Sequence, residues 1–346
     1  MTNIEGAREQ NKTSVQKQTI DTSSLNGAQL PRDLYERFIE RQQKSADLLE
    51  MVRVETLPRL EMGVPKIGVP ELSGDVRTEG GEDETGTTDS DAETGSVEFN
   101  ATDQSYYIQY DLKRDSVKNV ISDADSVADI ILSHFERAWG NDIQNIGINA
   151  GRTGSGLPTT FNNTFDGWLS IAEGNDTASD RIGTGEEADA STMPAYDHSD
   201  GSGTAQPVNT TMFNGMIQTV PERYRDPDDL VFLTSKSQVQ SYAYGLTERE
   251  DALGVAALLG DNDVTPFEYD IVGVSYWPDD VAMLVDPSNL VYGLFEEVEI
   301  TQLTQTDKTM ERRLHSRNLI EGQFDYQIEE LQAGALGENI AAPTLS

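Results

Sequence analysis

The clearest periodicity in the chain lies in its middle. Val127, Ile130, Ile131, Phe135, Trp139, Ile143 and Ile146 recur at spacings of three and four, which puts them on one stripe of a helix. Asp123, Asp125 and Asp129 load the first turns, where carboxylates favour the positive end of the helix dipole. Gly147 offers a stop, so the pattern predicts a helix over 123–146. Beyond residue 212 the apolar density rises. Met212, Phe213, Met216 and Ile217 form a helix face, and Asp229 to Thr234 reads as a short strand. Val239, Tyr242, Ala243 and Leu246 mark another helix, and Ala256 to Leu259 a third. Strands are then expected at Tyr269–Trp277, Ala282–Val285, Leu290–Phe295 and Val298–Leu303. A final extended pair, Leu314–Ile320 and Gln323–Leu331, is expected to turn at Glu321-Gly322.

The flanking segments are poorer in signal. Residues 1–29 carry almost no large apolar groups and read as a flexible arm. A short helix with Leu34, Phe38 and Ile39 on one face is expected after Pro31, then an extended run from Leu48 to Leu57. Residues 58–113 are punctuated by glycine, and between Glu71 and Glu98 there are ten acids and one base, Arg77. Alternation at Val97-Glu98-Phe99 and again at Tyr106–Tyr110 predicts a long two-stranded hairpin with an acidic tip. A linker without regular structure is the other reading of this stretch. Residues 150–211 are irregular, with a helix start at Phe165–Leu169 and a Gly/Asp/Ser-rich surface insertion over 173–207.

Charge narrows the function classes. The 346 residues hold 61 acids against 25 bases, a formal net charge of −36, and 17 of the bases are arginine. Such a surface repels itself in dilute buffer, where the screening length is about 10 Å at 0.1 M salt, and is relieved in molar salt, where it is about 3 Å. The expectation is a protein adapted to high salt, with an ordinary acidic protein as the alternative. The bulk surface cannot grip nucleic acid, which needs clustered Lys and Arg. There is no cysteine, hence no disulfide framework or thiolate metal site, and no apolar run long enough to cross a membrane. With no signal segment at the start, a cytoplasmic origin is expected.

Candidate chemistry is sparse. The three histidines, His134, His198 and His315, have no neighbours that would orient them for catalysis. Asp228-Asp229 and Asp279-Asp280 are carboxylate pairs, but in so acidic a chain pairs arise without purpose, and Asp279-Asp280 after Pro278 is expected to shape a turn. Asp89–Gly95 lacks the Gly and Glu that a calcium loop requires at its sixth and twelfth positions. Gly151–Gly156 lacks the Lys-Ser/Thr ending of a phosphate loop. Five N-x-S/T triplets, at Asn11, Asn100, Asn162, Asn175 and Asn209, read as chance matches. No catalytic residue, cofactor or metal site is expected, and the chain is read as a non-enzyme.

One resemblance organises these parts. Met212-Phe213-Asn214-Gly215-Met216, Val220-Pro221-Glu222-Arg223-Tyr224, the strand ending in Thr234-Ser235, the helix closing on Arg249, Trp277-Pro278-Asp279-Asp280 and Asp286–Gly293 together resemble the major capsid proteins of tailed double-stranded DNA viruses, the HK97-like fold. The resemblance implies an α+β chain. It would comprise an N-terminal arm (1–57), a long β-hairpin or E-loop (58–113) and a peripheral domain with the spine helix (114–164). An axial domain (165–280) carrying the 173–207 insertion and a closing peripheral sheet (281–346) would follow. It further implies a homo-oligomer of pentamers and hexamers in an icosahedral head that encloses double-stranded DNA without reading its sequence. Portal, scaffold or protease and minor capsid proteins would be its partners, host cytoplasm its place of assembly and the virion its destination. The charge adds a haloarchaeal virus as source. Some relatives cross-link through a hairpin Lys, but Lys66 and Lys113 lie near the base of the hairpin rather than its tip. Candidate inter-subunit contacts are Arg77, Arg223, Arg225 and Arg249, scarce bases in an acidic surface, with Glu82, Asp83 and Glu84 of the hairpin; intrachain salt bridges are their alternative use. An encapsulin-type compartment is the second reading, and an acidic halophilic hydrolase or binding protein the third.

Overall fold

A strand of 15 residues and a helix of 26 form the frame on which the rest of the chain is hung. The structure, a computed structural model, describes residues 26–29, 46–67, 94–101, 104–113, 124–174, 192–226, 228–247, 266–295, 299–303, 312 and 314–343. The expected helix after Pro31, the Ala256–Leu259 helix, the acidic stretch 68–93 with its calcium-like run, and residues 175–191 of the 173–207 insertion lie outside these residues.

The first sheet contains β1 (Asn26–Gln29), β2 (Arg53–Leu57), β5 (Ser105–Lys113), β10 (Leu290–Phe295), β11 (Glu299–Leu303) and β12 (Leu314–Ile328). Its order is β1-β11-β12-β10-β2, with β5 also pairing to β12. The early half of β12 is antiparallel to both β5 and β11, and its late half, Phe324–Ile328, is antiparallel to β10. The expected turn at Glu321-Gly322 is therefore not made. Glu321 pairs with Tyr107 on one side and Glu299 on the other, and Gly322 pairs with Tyr106. Two neighbouring strands outweigh the local turn preference of a single glycine.

A separate two-stranded hairpin joins β3 (Glu61–Ile67) to β4 (Thr94–Asn100), with Glu61 opposite Asn100 and Ile67 opposite Thr94. The alternation at Tyr106–Tyr110, expected in this hairpin, instead belongs to β5 in the first sheet. Period-two alternation marks a half-buried strand without naming its partner.

The second sheet has the order β6-β13-β9-β7-β8, built from β6 (Ala195–Asp197), β7 (Val231–Ser235), β8 (Asp270–Val274), β9 (Ala282–Val285) and β13 (Gly334–Glu338). Two helices beside it follow the expected apolar faces. In α4 (Thr210–Thr219) Met212, Phe213, Met216 and Ile217 are buried, and Asn209 caps the helix by accepting from the N–H groups of Thr211 and Met212. In α5 (Lys236–Thr247) Tyr242 and Leu246 are buried. This sheet draws β9 and β13 from beyond residue 280, in the span expected to form the closing peripheral sheet. Short apolar strands such as Ala282–Val285 and Gly334–Glu338 carry no signal of which sheet they enter. Residues 192–198, expected in the surface insertion, contain the fully buried Met193 and strand β6. Only three residues long, that strand is too short to show a period.

The spine helix, α1 (Ala124–Asn149), starts one residue later than expected and runs through Gly147. Trp139, Ile143 and Ile146 are buried as the stripe requires. Gly147 is a contact rather than a stop. A Cβ there would lie 2.6 Å from Cε1 of Tyr326 and 3.0 Å from Cζ3 of Trp168. Tyr326 of β12 donates its hydroxyl to the carbonyl of Ile143 (2.7 Å), and Trp168 donates its indole N–H to the carbonyl of Val291 (3.2 Å). Trp168 begins the short helix α3 (Trp168–Glu173), which follows α2 (Thr159–Thr164). Aromatic rings fill the space between helix and sheet, including stacked Phe165 and Phe324 (4.9 Å) and the edge-on pair Tyr106 and Trp139 (5.1 Å). Such pairs contribute about 0.5–1.5 kcal/mol each beyond their burial.

Two Gly→Ala changes should have opposite signs. Gly147→Ala overpacks the helix–sheet contact and should lower stability by about 1–3 kcal/mol, more than offsetting the ~1 kcal/mol of helix propensity it gains. A Cβ added at Gly245 in α5 would meet no atom within 4 Å, so Gly245→Ala should raise stability by up to about 1 kcal/mol. Urea unfolding midpoints of the two variants check this, and a shared sign would show that Gly147 is not a packing position.

Candidate subunit-contact surface

The hairpin β3–β4 is attached to the first sheet along one edge of its base. Val97 and Phe99 point inward and are buried, while Glu98 and Asn100 between and after them are exposed. Leu57, Val97, Phe99 and Val291 form a small apolar cluster, with Met62 packed against it. The cluster depends on Gly293. A Cβ at that position would lie 2.7 Å from Cδ1 of Phe99 and 3.0 Å from Cδ1 of Leu57. Backbone bonds close the base, with Ala101 N–H donating to Leu60 O at 2.8 Å.

A buried carboxylate sits beneath this junction. Asp325 of β12 accepts from the backbone N–H of Asn100 (2.9 Å) and of Tyr326 (2.9 Å), and from the Gln327 amide (3.3 Å). The Gln104 amide, turned so that its nitrogen faces inward, donates to Asp325 Oδ1 at 3.0 Å and to Phe324 O at 2.8 Å. Burial pushes the Asp325 carboxyl above the ordinary carboxylate range, against the opposing effect of these N–H bonds.

A second set of polar contacts ties α1 to the turn that follows β8. Gln144 is buried, accepts from Leu48 N–H (3.0 Å) and donates to Ser275 O (2.9 Å). Asn149 donates to Tyr276 O at 2.8 Å. Tyr276, thus held in the left-handed region at φ 67°, leaves its ring half exposed. The Asp279-Asp280 turn is present, and both carboxylates are occupied. Asp279 accepts from the hydroxyls of Ser235 and Ser237. Asp280 accepts two bonds from Arg152 (3.0 and 3.2 Å), whose Nε also donates to Glu173 at 2.7 Å. Lys236 and Ser275 hold the Asp47 carboxyl below the ordinary range.

A recess of about 570 Å³ lies between the Asn149–Leu157 loop and Tyr276, Pro278 and Asp280. Its ionised groups, Arg152 and Asp280, neutralise each other, so its wall offers hydrogen bonds but no acid–base pair or nucleophile–base dyad. His198 is buried with Nε2 bonded to Pro207 O at 2.9 Å, a structural use. Among the described residues no cluster of His, Cys, Asp or Glu could hold a metal ion, and no helix is long and apolar enough to cross a membrane.

Of the contact residues that the sequence points to, Arg77, Glu82, Asp83, Glu84 and Arg249 lie outside the described residues. Arg223 is exposed, its guanidinium 5.0 Å from the ring centroid of Tyr224. Arg225 is turned inward on its own chain. It donates to Val220 O (2.6 Å), Gln218 O (2.8 Å) and Gln218 Oε1 (3.2 Å), satisfying carbonyls at the C-terminal end of α4. Neither Arg152 nor Asp325 is among the residues that the sequence points to. Arg152 is hidden in a glycine-rich loop, whereas Asp325, a carboxylate between Phe324 and Tyr326 in a strand, leaves a readable mark.

No protein-family model and no curated protein sequence matches the chain. Solved structures do. The hairpin set on a sheet, the spine helix and the second sheet are the parts of the HK97-like capsid fold, and the chain has that fold. It aligns with a chain of the satellite phage P4 procapsid that includes the size determination (Sid) protein, at TM-score 0.64 and 14% identity, covering 100% of both chains. It is similar to the capsid of the native GTA particle, at TM-score 0.58 and 13% identity over 86% of this chain and 91% of that one. The cyanophage A-1(L) capsid gives TM-score 0.57 and 15% identity over 87% and 93%. At such identities the likeness is one of fold.

Phe99→Ala should unseat the hairpin, since emptying a buried aromatic site costs about 3–5 kcal/mol. Hydrogen exchange should then accelerate in β3 and β4 while β7 and β9 stay protected. Unchanged protection at Thr94–Asn100 would place the anchor elsewhere.

Proposed function

We propose that this chain is a major capsid protein that assembles into pentamers and hexamers of an icosahedral head around double-stranded DNA. The observation that carries this reading is the fold match to a P4 procapsid chain over the full length of both, with the hairpin included. The hairpin adds to it. Its base is fixed by a small cluster, while Glu61 and Gly63 at the start of β3 and Glu98 of β4 are exposed. An element of that kind gains most of its buried surface from neighbours. Heterologous contacts of this sort close into rings when the rotation between copies allows. The acidic segment 71–98 and the arm 1–45 supply further contacts, with Arg77, Arg223 and Arg249 as the bases that pair across copies. Arg225, spent on α4, is the weakest of the set.

The reading extends to a virion of high-salt surroundings, with a haloarchaeal host. A net charge of −36 on each of many packed copies demands screening, which molar salt supplies. The same charge keeps the shell from gripping DNA, so portal, scaffold or protease and minor proteins would manage packaging and assembly in the host cytoplasm.

Negative-stain microscopy of the protein purified in molar salt tests this. Polyhedral shells, or rings of five and six copies, are expected, with loss of assembly on dilution into ~0.1 M salt. A monodisperse monomer at every salt concentration, with and without co-expressed scaffold, would overturn the capsid reading. Assemblies that strengthen as salt is removed would overturn the salt adaptation alone.

A further inference from the structure

Asp325 stands where the hairpin meets the first sheet, and among the described residues it has no cationic partner. Across the β10–β12 pair it faces Gly293, which has no side chain to cover it, and Phe99 of the hairpin packs against that glycine instead. Asp325 is 4% exposed. Its four donors are the N–H groups of Asn100 and Tyr326 and the amides of Gln104 and Gln327, all neutral. The ionisable groups on the surrounding elements do not offset its charge. From β5, Tyr106 bonds Asp142, and its hydroxyl and that of Tyr326 are held in the neutral form by burial. Tyr292 stands on β10. Glu98 of β4 and Glu321 of β12 are exposed, and Glu329 pairs with Arg53.

Seating the hairpin is therefore what removes water from Asp325. Lifting Phe99 and Asn100 away breaks one N–H bond and lets water reach the carboxylate. We propose that Asp325 couples the seating of the hairpin to proton uptake, so that the hairpin sits more firmly on the sheet as pH falls and releases more readily as pH rises. The sign follows from linkage. Burial raises the carboxyl's proton affinity in the seated state, whereas the hydrated carboxyl returns to its ordinary value of 3.8. The state that binds the proton more tightly gains as pH falls through the window between those two values. Above the window the carboxylate is ionised in both states and seating is at its weakest. The device belongs to one subunit and holds whether or not the chain builds a shell; in a shell it would set how readily the hairpin can be repositioned against a neighbour.

Hydrogen exchange on the full chain in molar salt, between pH 4 and 7 and corrected for the intrinsic rate, tests it. In the wild type, protection of the Asn100 and Ala101 amides should rise as pH falls, by up to about tenfold per unit within the window. Reference amides in β7 and β9 should show no such slope. Asp325→Asn should abolish the slope at the hairpin. Gln104→Leu, which removes one N–H donor to the carboxylate, should move the window to higher pH and serves should Asp325→Asn fail to fold. A flat or inverted wild-type profile, a slope that survives in Asp325→Asn, or a window unmoved in Gln104→Leu would overturn the proposal.

Discussion

Strand β12 satisfies three sheet partners and one helix at once, and most of the described structure depends on its doing so. Its early residues give their hydrogen bonds to β5 and β11, its late residues to β10, and the change of partner falls at Gln323 and Phe324. On its inner face Phe324 and Tyr326 carry the aromatic cluster, and Tyr326 reaches the Ile143 carbonyl beside Gly147 of the spine helix. A turn at Glu321-Gly322 would have divided the strand and left one of these partner sets without its ladder. Because buried backbone groups must be paired, a continuous strand is the arrangement that pairs them all.

The hairpin departs from the sheet at this same change of partner. Gly293 on β10 leaves space, Phe99 occupies it, and Asp325 receives the Asn100 N–H. Three small features in sequence thus fix the base of the hairpin, and each belongs to a different strand. On either side of that base Glu61 and Gly63 of β3 and Glu98 of β4 are exposed, so the apolar cluster is what ties the two strands to the sheet.

The helices are legible in the sequence because a stripe of three-and-four spacing needs no knowledge of what lies opposite. Trp139, Ile143 and Ile146 are buried, as are the expected face of α4 and, in α5, Tyr242 and Leu246, with Val239 and Ala243 partly buried. Strand existence is legible too, at Ala282–Val285 and Leu290–Phe295. Strand partnership is not, because period two fixes which residues face inward but not against which neighbour. That is why Tyr106–Tyr110 belongs to the first sheet rather than the hairpin, and β9 and β13 to the second sheet. Gly147 shows the complementary failure. A helical glycine reads as an end, whereas here its missing side chain admits Tyr326 and Trp168. The contact surface is the least legible part. Arg225 reads as a free base in an acidic surface, but the helix carbonyls that engage it are set by the turn after Pro221.

Polar contacts where α1 and the loop after it meet the turns beyond β8 bring little unpaired charge out of water. Where the helix α1 meets the turn after β8, the groups removed from water are chiefly neutral amides, Gln144 and Asn149, which satisfy backbone carbonyls without an added charge. Where charge is brought in, at Arg152, it meets two carboxylates at once. Asp325 departs from that rule, being enclosed with neutral donors alone. A carboxylate so placed costs stability whenever it is ionised, and an amide side chain could accept from the same N–H groups without that cost. What the carboxylate adds is a second charge state at the junction between the hairpin and the sheet.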